Sequence, residues 1–245
     1  MIFNLANPLR FQRLIEKIEP ITLNIAIILL LVGLFFCFFG SPPDYLQGET
    51  VRIMYIHVPC AWFSLMIYSI IALCSIFSIV FKHTLADLIS RSCAPIGACF
   101  TLATLLSGSI WGKPTWGTWW VWDARLTSEL VLLVIYLGLI IINNAYEDKS
   151  KADRYSSILA IIGIINLPII KWSVDWWSTL HQPASISKFS SPSIDPSMLL
   201  PLFVMTFSFF FFFISILLVR VRGEIIQRKI EAVSYTHLRA HETRP

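Results

Sequence analysis

Two histidines, His57 and His181, are the side chains of this sequence best suited to bind a metal ion. His57 lies in the segment RIMYIHVP, and His181 lies in the segment WWSTLHQP. A neutral imidazole is a good ligand for iron, copper or zinc. The five cysteines form no C-x-x-C pair, so the two histidines do not complete a closed zinc site. They could, however, bind a metal that brings its remaining ligands with it.

A tryptophan-rich stretch, WGKPTWGTWWVWDARLT, covers residues 111–127. Trp116, Trp119, Trp120 and Asp123 follow the spacing i, i+3, i+4 and i+7, which predicts that one helical face carries all four. Tryptophans can also anchor a chain at a membrane surface, but such belts serve both surfaces. Eight of the nine tryptophans here fall in two clusters, at residues 111–122 and 172–177. This distribution favours a flat aromatic binding surface, to which Trp111 and Trp122 also belong.

Other residues of the stretch have simpler expected roles. Gly112 and Gly117 each follow a tryptophan, which indicates a close backbone approach or a tight turn. Asp123 is expected to cap the next helix or to form a salt bridge. Glu129 lies just inside that helix, and Arg125, four residues earlier, is its expected partner.

The composition identifies the elements that must position these residues. Of the 245 residues, 56% are hydrophobic and 14% are charged, whereas soluble domains are about a quarter charged. The chain is therefore expected to be an all-α integral membrane protein with a single domain over residues 1–232. Six apolar runs approach the ~20 residues that cross a bilayer: 22–40, 58–80, 93–111, 127–145, 157–171 and 198–219.

The distribution of basic residues predicts the orientation of these spans. With both termini in the cytoplasm, the inner side carries 14 lysines and arginines and the outer side carries 5, which together make the chain's 19. The positive-inside rule favours this arrangement. Both histidines and the amphipathic tryptophan-rich segment then share the outer, periplasmic face.

This shared face predicts the ligand. Haem has an iron that two histidines can bind from opposite sides, a flat apolar macrocycle, and two anionic propionates. Aromatic side chains suit the macrocycle, and arginines suit the propionates. Arg52 and Arg125 both lie on the outer side and are the candidates for this role.

The last residues, 233–245, differ in composition and periodicity from the helix before them and resemble translated sequencing-adapter DNA. They are interpreted as a non-native tail, so His237 and His241 are excluded as ligands.

The stretch WGKPTWGTWWVWDARLTSELVLL closely resembles the "WWD" signature of the haem-handling proteins of cytochrome c maturation. The segments YIHVP and NLPIIKWSVDWWSTLHQ are similar to the two histidine segments of one of these families, haem exporter protein C (CcmC).

This resemblance implies a protein of the bacterial inner membrane that holds haem b at its periplasmic face. His57 and His181 would be the axial ligands, and Trp111, Gly112, Trp116, Gly117, Trp119, Trp120, Trp122 and Asp123 would carry the signature. The implied partners are the haem chaperone CcmE, which captures haem covalently, the transporter subunits CcmA and CcmB, the small protein CcmD, and the lipid bilayer. No nucleic acid is expected to bind.

Two other functions stay open at this point. Haem lyases of the same superfamily join haem to apocytochrome c, but they are usually longer and have more histidines. A subunit that conducts haem across the membrane would need a partner to use ATP, because the sequence has no G-x-x-x-x-G-K-[ST] loop. The chain is therefore expected not to be an enzyme. The tryptophan-rich face and residues 182–196 are the expected contacts of the chaperone.

Overall fold

The computed structural model describes residues 8–181 and 194–242, and nearly all of these residues are helical. The helices are α1 Pro8–Phe35, α2 Met54–Phe81, α3 Thr84–Trp116, α4 Ala124–Ala145, α5 Lys149–Gly163, α6 Asn166–Trp176 and α7 Pro196–Glu242. A π-helical turn, Phe36–Gly40, follows α1, and a 3₁₀ turn, Glu49–Ile53, leads into α2. Residues 182–193, within the predicted chaperone contact, lie outside the described residues.

The prediction of six membrane spans is confirmed. Six helical segments of the described chain are long and apolar enough to cross a bilayer: Phe11–Gly40, Glu49–Phe81, Thr84–Trp116, Ala124–Ala145, Lys149–Trp176 and Pro196–Glu231. The backbone of α7 stays helical through Glu242, beyond Val233, where the sequence changes character. The interpretation of residues 233–245 as a non-native tail stays a prediction.

The fifth span is two helices, α5 and α6, because the chain turns at Ile164 and Ile165. Pro168 has no N–H to donate to the carbonyl of Ile164, and that carbonyl accepts instead from Leu167 N at 3.1 Å. Asn166 at the break donates from Nδ2 to the carbonyl of Ser128 on α4 at 2.9 Å. The freed carbonyl is thus satisfied within the segment itself, as a bilayer requires, and the Asn166 side chain binds the break to α4.

Tyrosines that fill the space beside glycines hold the centre of the bundle together. Tyr136 of α4 packs where a Cβ on Gly97 would stand, and its hydroxyl donates to the carbonyl of Ser64 at 2.7 Å. Tyr68 packs against Gly163 in the same way and donates to the carbonyl of Ala160 at 3.0 Å. Close approach at small residues and interhelical hydrogen bonds are the usual sources of helix association in lipid.

A buried ionic network joins the helices at the end of the bundle away from the tryptophans. Arg91 of α3 donates to Asp153 of α5 at 2.9 Å and to the carbonyl of Asn143 on α4 at 2.9 Å. Arg228 of α7 donates to the other oxygen of Asp153 at 2.7 Å. Four helices are therefore tied together by one carboxylate and two guanidinium groups, which fixes this end of the bundle.

The glycine contacts predict a difference between two identical substitutions. Gly97→Ala should destabilise the protein by about 1–3 kcal/mol, because the new methyl group overlaps the Tyr136 ring. Gly223→Ala is the matched control, since a Cβ there meets no atom within 4 Å. Unfolding in detergent would measure both variants, and equal stabilities would show that the Gly97 contact is not tight.

Candidate functional site

The two predicted histidines lie together in the structure. His57 is near the start of α2, and His181 follows α6 at the same end of the bundle. Their ring centres are 6.5 Å apart, with an angle of 35° between the ring planes. Both rings line one cavity of about 490 Å³.

This spacing suits a metal ion held between the two rings. A bond from a metal to an imidazole nitrogen is about 2 Å long, and the ring centre lies about 1 Å behind that nitrogen, so two axial imidazoles place their ring centres about 6 Å apart. The 6.5 Å between His57 and His181 is close to this value. The pair could therefore bind one metal ion from opposite sides with little rearrangement.

The cavity is built from six parts of the chain. Its walls come from the loop before α2, from α2 and α3, from the loop after α3, from α4, and from α6 with the residues after it. Leu65 of α2 and Leu105 of α3 line its deep part, while the exposed Leu46 and Leu180 line its mouth. The cavity is thus mainly apolar, opens at the tryptophan-bearing end, and has a size typical of small-molecule sites.

The tryptophans divide into two groups. Trp111, Trp116 and Trp120 line the cavity, and Trp111 and Trp116 lie beside His57 and His181 with ring centres 5.6 and 6.3 Å away. Trp119 and Trp122 lie outside the cavity lining and are 57% and 75% exposed. The structure therefore brings three of the five predicted tryptophans to the histidines.

The expected single helical face across Trp116, Trp119, Trp120 and Asp123 is wrong. Helix α3 ends at Trp116, and Gly117 has a φ of 77°, a left-handed conformation that favours glycine and ends the helix. The N–H of Gly117 donates to the carbonyl of Lys113 at 3.1 Å. The segment after Gly117 runs without helix to Asp123, so Trp119 and Trp120 can point in different directions.

The simpler expectations for this stretch are confirmed. Gly117 makes the tight turn, and a Cβ on Gly112 would lie 2.9 Å from the Trp116 ring, so Gly112 allows a close approach. Asp123 caps α4 by accepting from Leu126 N at 2.8 Å. Its second carboxylate oxygen is buried and has no hydrogen-bond partner among the described residues.

The two predicted arginines lie in different surroundings. Arg125 lines the cavity and donates to the carbonyl of Ile170 at 3.0 Å. Arg52 lies outside the cavity lining, where it pairs with Glu49 at 2.5 Å and donates to the carbonyl of Cys37. Only Arg125 is therefore placed at the histidines.

Glu129 has a different partner from the one expected. It lines the cavity, is 6% exposed, and accepts from Ser64 Oγ of α2 at 2.9 Å. Within the described chain, Arg125 and Glu129 do not form an ion pair. The expected salt bridge is therefore absent from the described residues, because Ser64 is the closer donor, although the opposite charges of Arg125 and Glu129 still attract each other over a longer distance.

Three residues that support the site were not predicted from the sequence. Ser107 Oγ lies 3.0 Å from His57 Nδ1, and a Cβ on the adjacent Gly108 would lie 3.0 Å from His57 Cε1. Gln47 accepts from Trp111 Nε1 at 2.7 Å. The sequence feature that could have indicated Ser107 and Gly108 is the run Ser-Gly-Ser at residues 107–109, which interrupts an apolar span one turn before Trp111.

Comparison with known proteins decides the family. The sequence model described as "Heme exporter protein C" (CcmC) matches residues 1–236. The chain belongs to the haem exporter protein C family. The predicted resemblance is therefore confirmed, and the family places the chain in haem handling for cytochrome c maturation.

Individual relatives support this membership along nearly the whole chain. The haem exporter protein C of Bradyrhizobium diazoefficiens is 46% identical over 232 residues, which cover 95% of this chain and 88% of the relative. That of Escherichia coli K12 is 43% identical over 225 residues, or 92% of this chain and 91% of the relative. A putative ccmC-like mitochondrial protein of cytochrome c biosynthesis from Marchantia polymorpha is 46% identical over 209 residues, which cover 85% of this chain and 89% of the relative.

Proposed function

We propose that the protein binds haem b in the cavity between His57 and His181 and transfers it to the haem chaperone CcmE. The observation that carries this proposal is the pair of imidazoles, with ring centres 6.5 Å apart, in an apolar cavity next to three tryptophans. The two imidazoles are the axial ligands of the iron, and the macrocycle supplies its other four nitrogens.

The polar groups of the cavity fit the rest of the haem molecule. Trp120 has a buried indole N–H with no hydrogen-bond partner among the described residues, so it can donate to a ligand. Arg125 is the cationic group beside the histidines and pairs with a propionate. The propionate role predicted for Arg52 stays a prediction, because its guanidinium group already binds Glu49.

The mouth of the cavity gives a route for transfer. Leu46 and Leu180 line the mouth and are exposed, so an edge of the bound macrocycle faces out of the protein. An exposed vinyl edge lets the chaperone take the haem without entering the cavity. The exposed Trp119 and Trp122 lie on the same stretch of chain and are the proposed contacts of the chaperone.

The proposed location is the bacterial inner membrane, and the distribution of charge supports an orientation in which the cavity faces the periplasm. The opposite end of the bundle carries most of the lysines and arginines, including the network of Arg91 and Arg228. The transporter subunits CcmA and CcmB and the small protein CcmD are the proposed partners within the membrane complex.

The axial ligands can be tested by haem spectroscopy on the purified protein. Wild type should give the spectrum of a low-spin, six-coordinate haem. His57→Ala and His181→Ala should each lose it, because one axial ligand is missing. His83→Ala is the matched control, since His83 lies exposed between α2 and α3. A low-spin spectrum that survives in the double variant His57→Ala/His181→Ala would contradict the proposal.

The role of Arg125 can be tested with haem whose propionates are esterified. Arg125→Gln should weaken the binding of haem by about 1.5–3 kcal/mol, the usual size of a hydrogen bond to a charged group. The same substitution should have little effect on the binding of the dimethyl ester, which has no anionic propionates.

Arg52→Gln provides the comparison in the same titrations. Arg52→Gln should weaken the binding of haem relative to its dimethyl ester by less than Arg125→Gln does, because Arg52 lies outside the cavity lining of the described chain. An equal coupling for both arginines would instead support the sequence-based prediction that each of them binds a propionate.

The division of the tryptophans predicts unequal effects on haem affinity. Trp116→Leu and Trp120→Leu should each raise the Kd for haem by about 2- to 10-fold, through the loss of aromatic contact. Trp119→Leu and Trp122→Leu should change the Kd less, since both side chains are exposed. Equal losses in all four variants would show that the whole signature holds the macrocycle.

A further inference from the structure

Two residues of α3 hydrogen-bond to the His57 ring, Ser107 through its hydroxyl and Thr104 through its backbone carbonyl. Ser107 Oγ lies 3.0 Å from His57 Nδ1, although the two residues belong to different helices. The same Oγ lies 2.6 Å from the carbonyl oxygen of Ala103 and 3.3 Å from that of Thr104. One hydroxyl therefore touches both the backbone of its own helix and the ring of the neighbouring one.

The single proton of the Ser107 hydroxyl indicates the direction of its hydrogen bonds. A serine hydroxyl has one proton to donate, and the carbonyl of Ala103 is the nearest acceptor for it. Because a carbonyl can only accept, the hydroxyl oxygen uses a lone pair towards the histidine. In this arrangement His57 Nδ1 carries the proton that this lone pair accepts, and Nε2 keeps a free lone pair for a metal.

The shape of α3 at this point also limits rotation of the ring. Gly108 follows Ser107, and a Cβ at that position would lie 3.0 Å from His57 Cε1, so the ring lies against the backbone of α3. Trp111 contacts the ring from one turn further along, in an edge-on arrangement with ring centres 5.6 Å apart. The contacts of Ser107, Gly108 and Trp111, all on α3, thus limit rotation of the imidazole.

We propose that Ser107 is a positioning residue for His57: it fixes the tautomer that presents Nε2 to the iron and slows the release of haem. This inference rests on the proposed function, because it assumes that His57 binds the iron. Hydrogen-bond partners of metal-bound histidines orient the ring and raise its basicity, and their loss costs about 10- to 100-fold in metal affinity.

The same kind of serine occurs elsewhere in the chain without a histidine. Ser69 of α2 also donates to the carbonyl four residues earlier, that of Leu65, at 2.9 Å. If Ser107 served only to satisfy its own helix, removal of its hydroxyl would have no more effect on haem than removal of the Ser69 hydroxyl. Ser69→Ala is therefore the matched control.

The test measures the rate at which haem passes from the purified, haem-loaded protein to added apomyoglobin. Ser107→Ala should keep the low-spin spectrum, since both histidines remain, but should release haem about 10- to 100-fold faster than wild type. Its haem reduction potential should also become more positive, because a less basic imidazole stabilises ferric iron less. Ser69→Ala should match wild type in both measurements.

Two further variants separate the hydroxyl from side-chain volume. Thr and Val have nearly the same shape, so Ser107→Thr should release haem at close to the wild-type rate and Ser107→Val should behave as Ser107→Ala. Equal release rates for the Thr and Val variants, or an unchanged rate in Ser107→Ala, would overturn the inference. Failure of the proposed function is distinct from this result, because His57→Ala would then leave the low-spin spectrum intact.

Discussion

Two neutral imidazoles in an apolar cavity have no strong attraction for each other, so the surrounding chain must impose the 6.5 Å between His57 and His181. His57 is held by α3, through Ser107 and the bare backbone at Gly108. His181 is held at the end of α6, beside Trp116 at the end of α3. Helix α3 is therefore the element against which both rings are placed.

The position of α3 depends in turn on the rest of the bundle. Near the centre of α3 the Tyr136 ring of α4 packs against Gly97, and near its far end Arg91 binds Asp153 of α5. In lipid, where apolar burial does not distinguish a neighbouring helix from an acyl chain, such close contacts and hydrogen bonds set the arrangement of helices. The buried ionic network supports the binding site from the opposite end of the bundle, and the Tyr136 contact reaches it through Ser64, which bonds to Glu129 in the cavity lining.

The sequence predicts the spans well because bilayer thickness and apolar composition constrain them directly. It also predicts that His57 and His181 share one face of the membrane, because each lies next to the outer end of a span. The sequence does not predict the local geometry after Trp116. A helical repeat fits residues 116–123, but the left-handed conformation of Gly117 ends the helix there. Ser64 and Ser107 were missed for a different reason, because their partners Glu129 and His57 lie on other helices and sequence spacing does not report such contacts.

The two imidazoles enter the membrane at very different times during synthesis of the chain. His57 arrives with the second span, whereas His181 follows the fifth, and the walls of the cavity come from nearly all the elements between them. A chain that is still being inserted has one imidazole and no facing partner. The proposed two-ligand haem site is therefore complete only after the fifth span has been made, late in the synthesis of the chain.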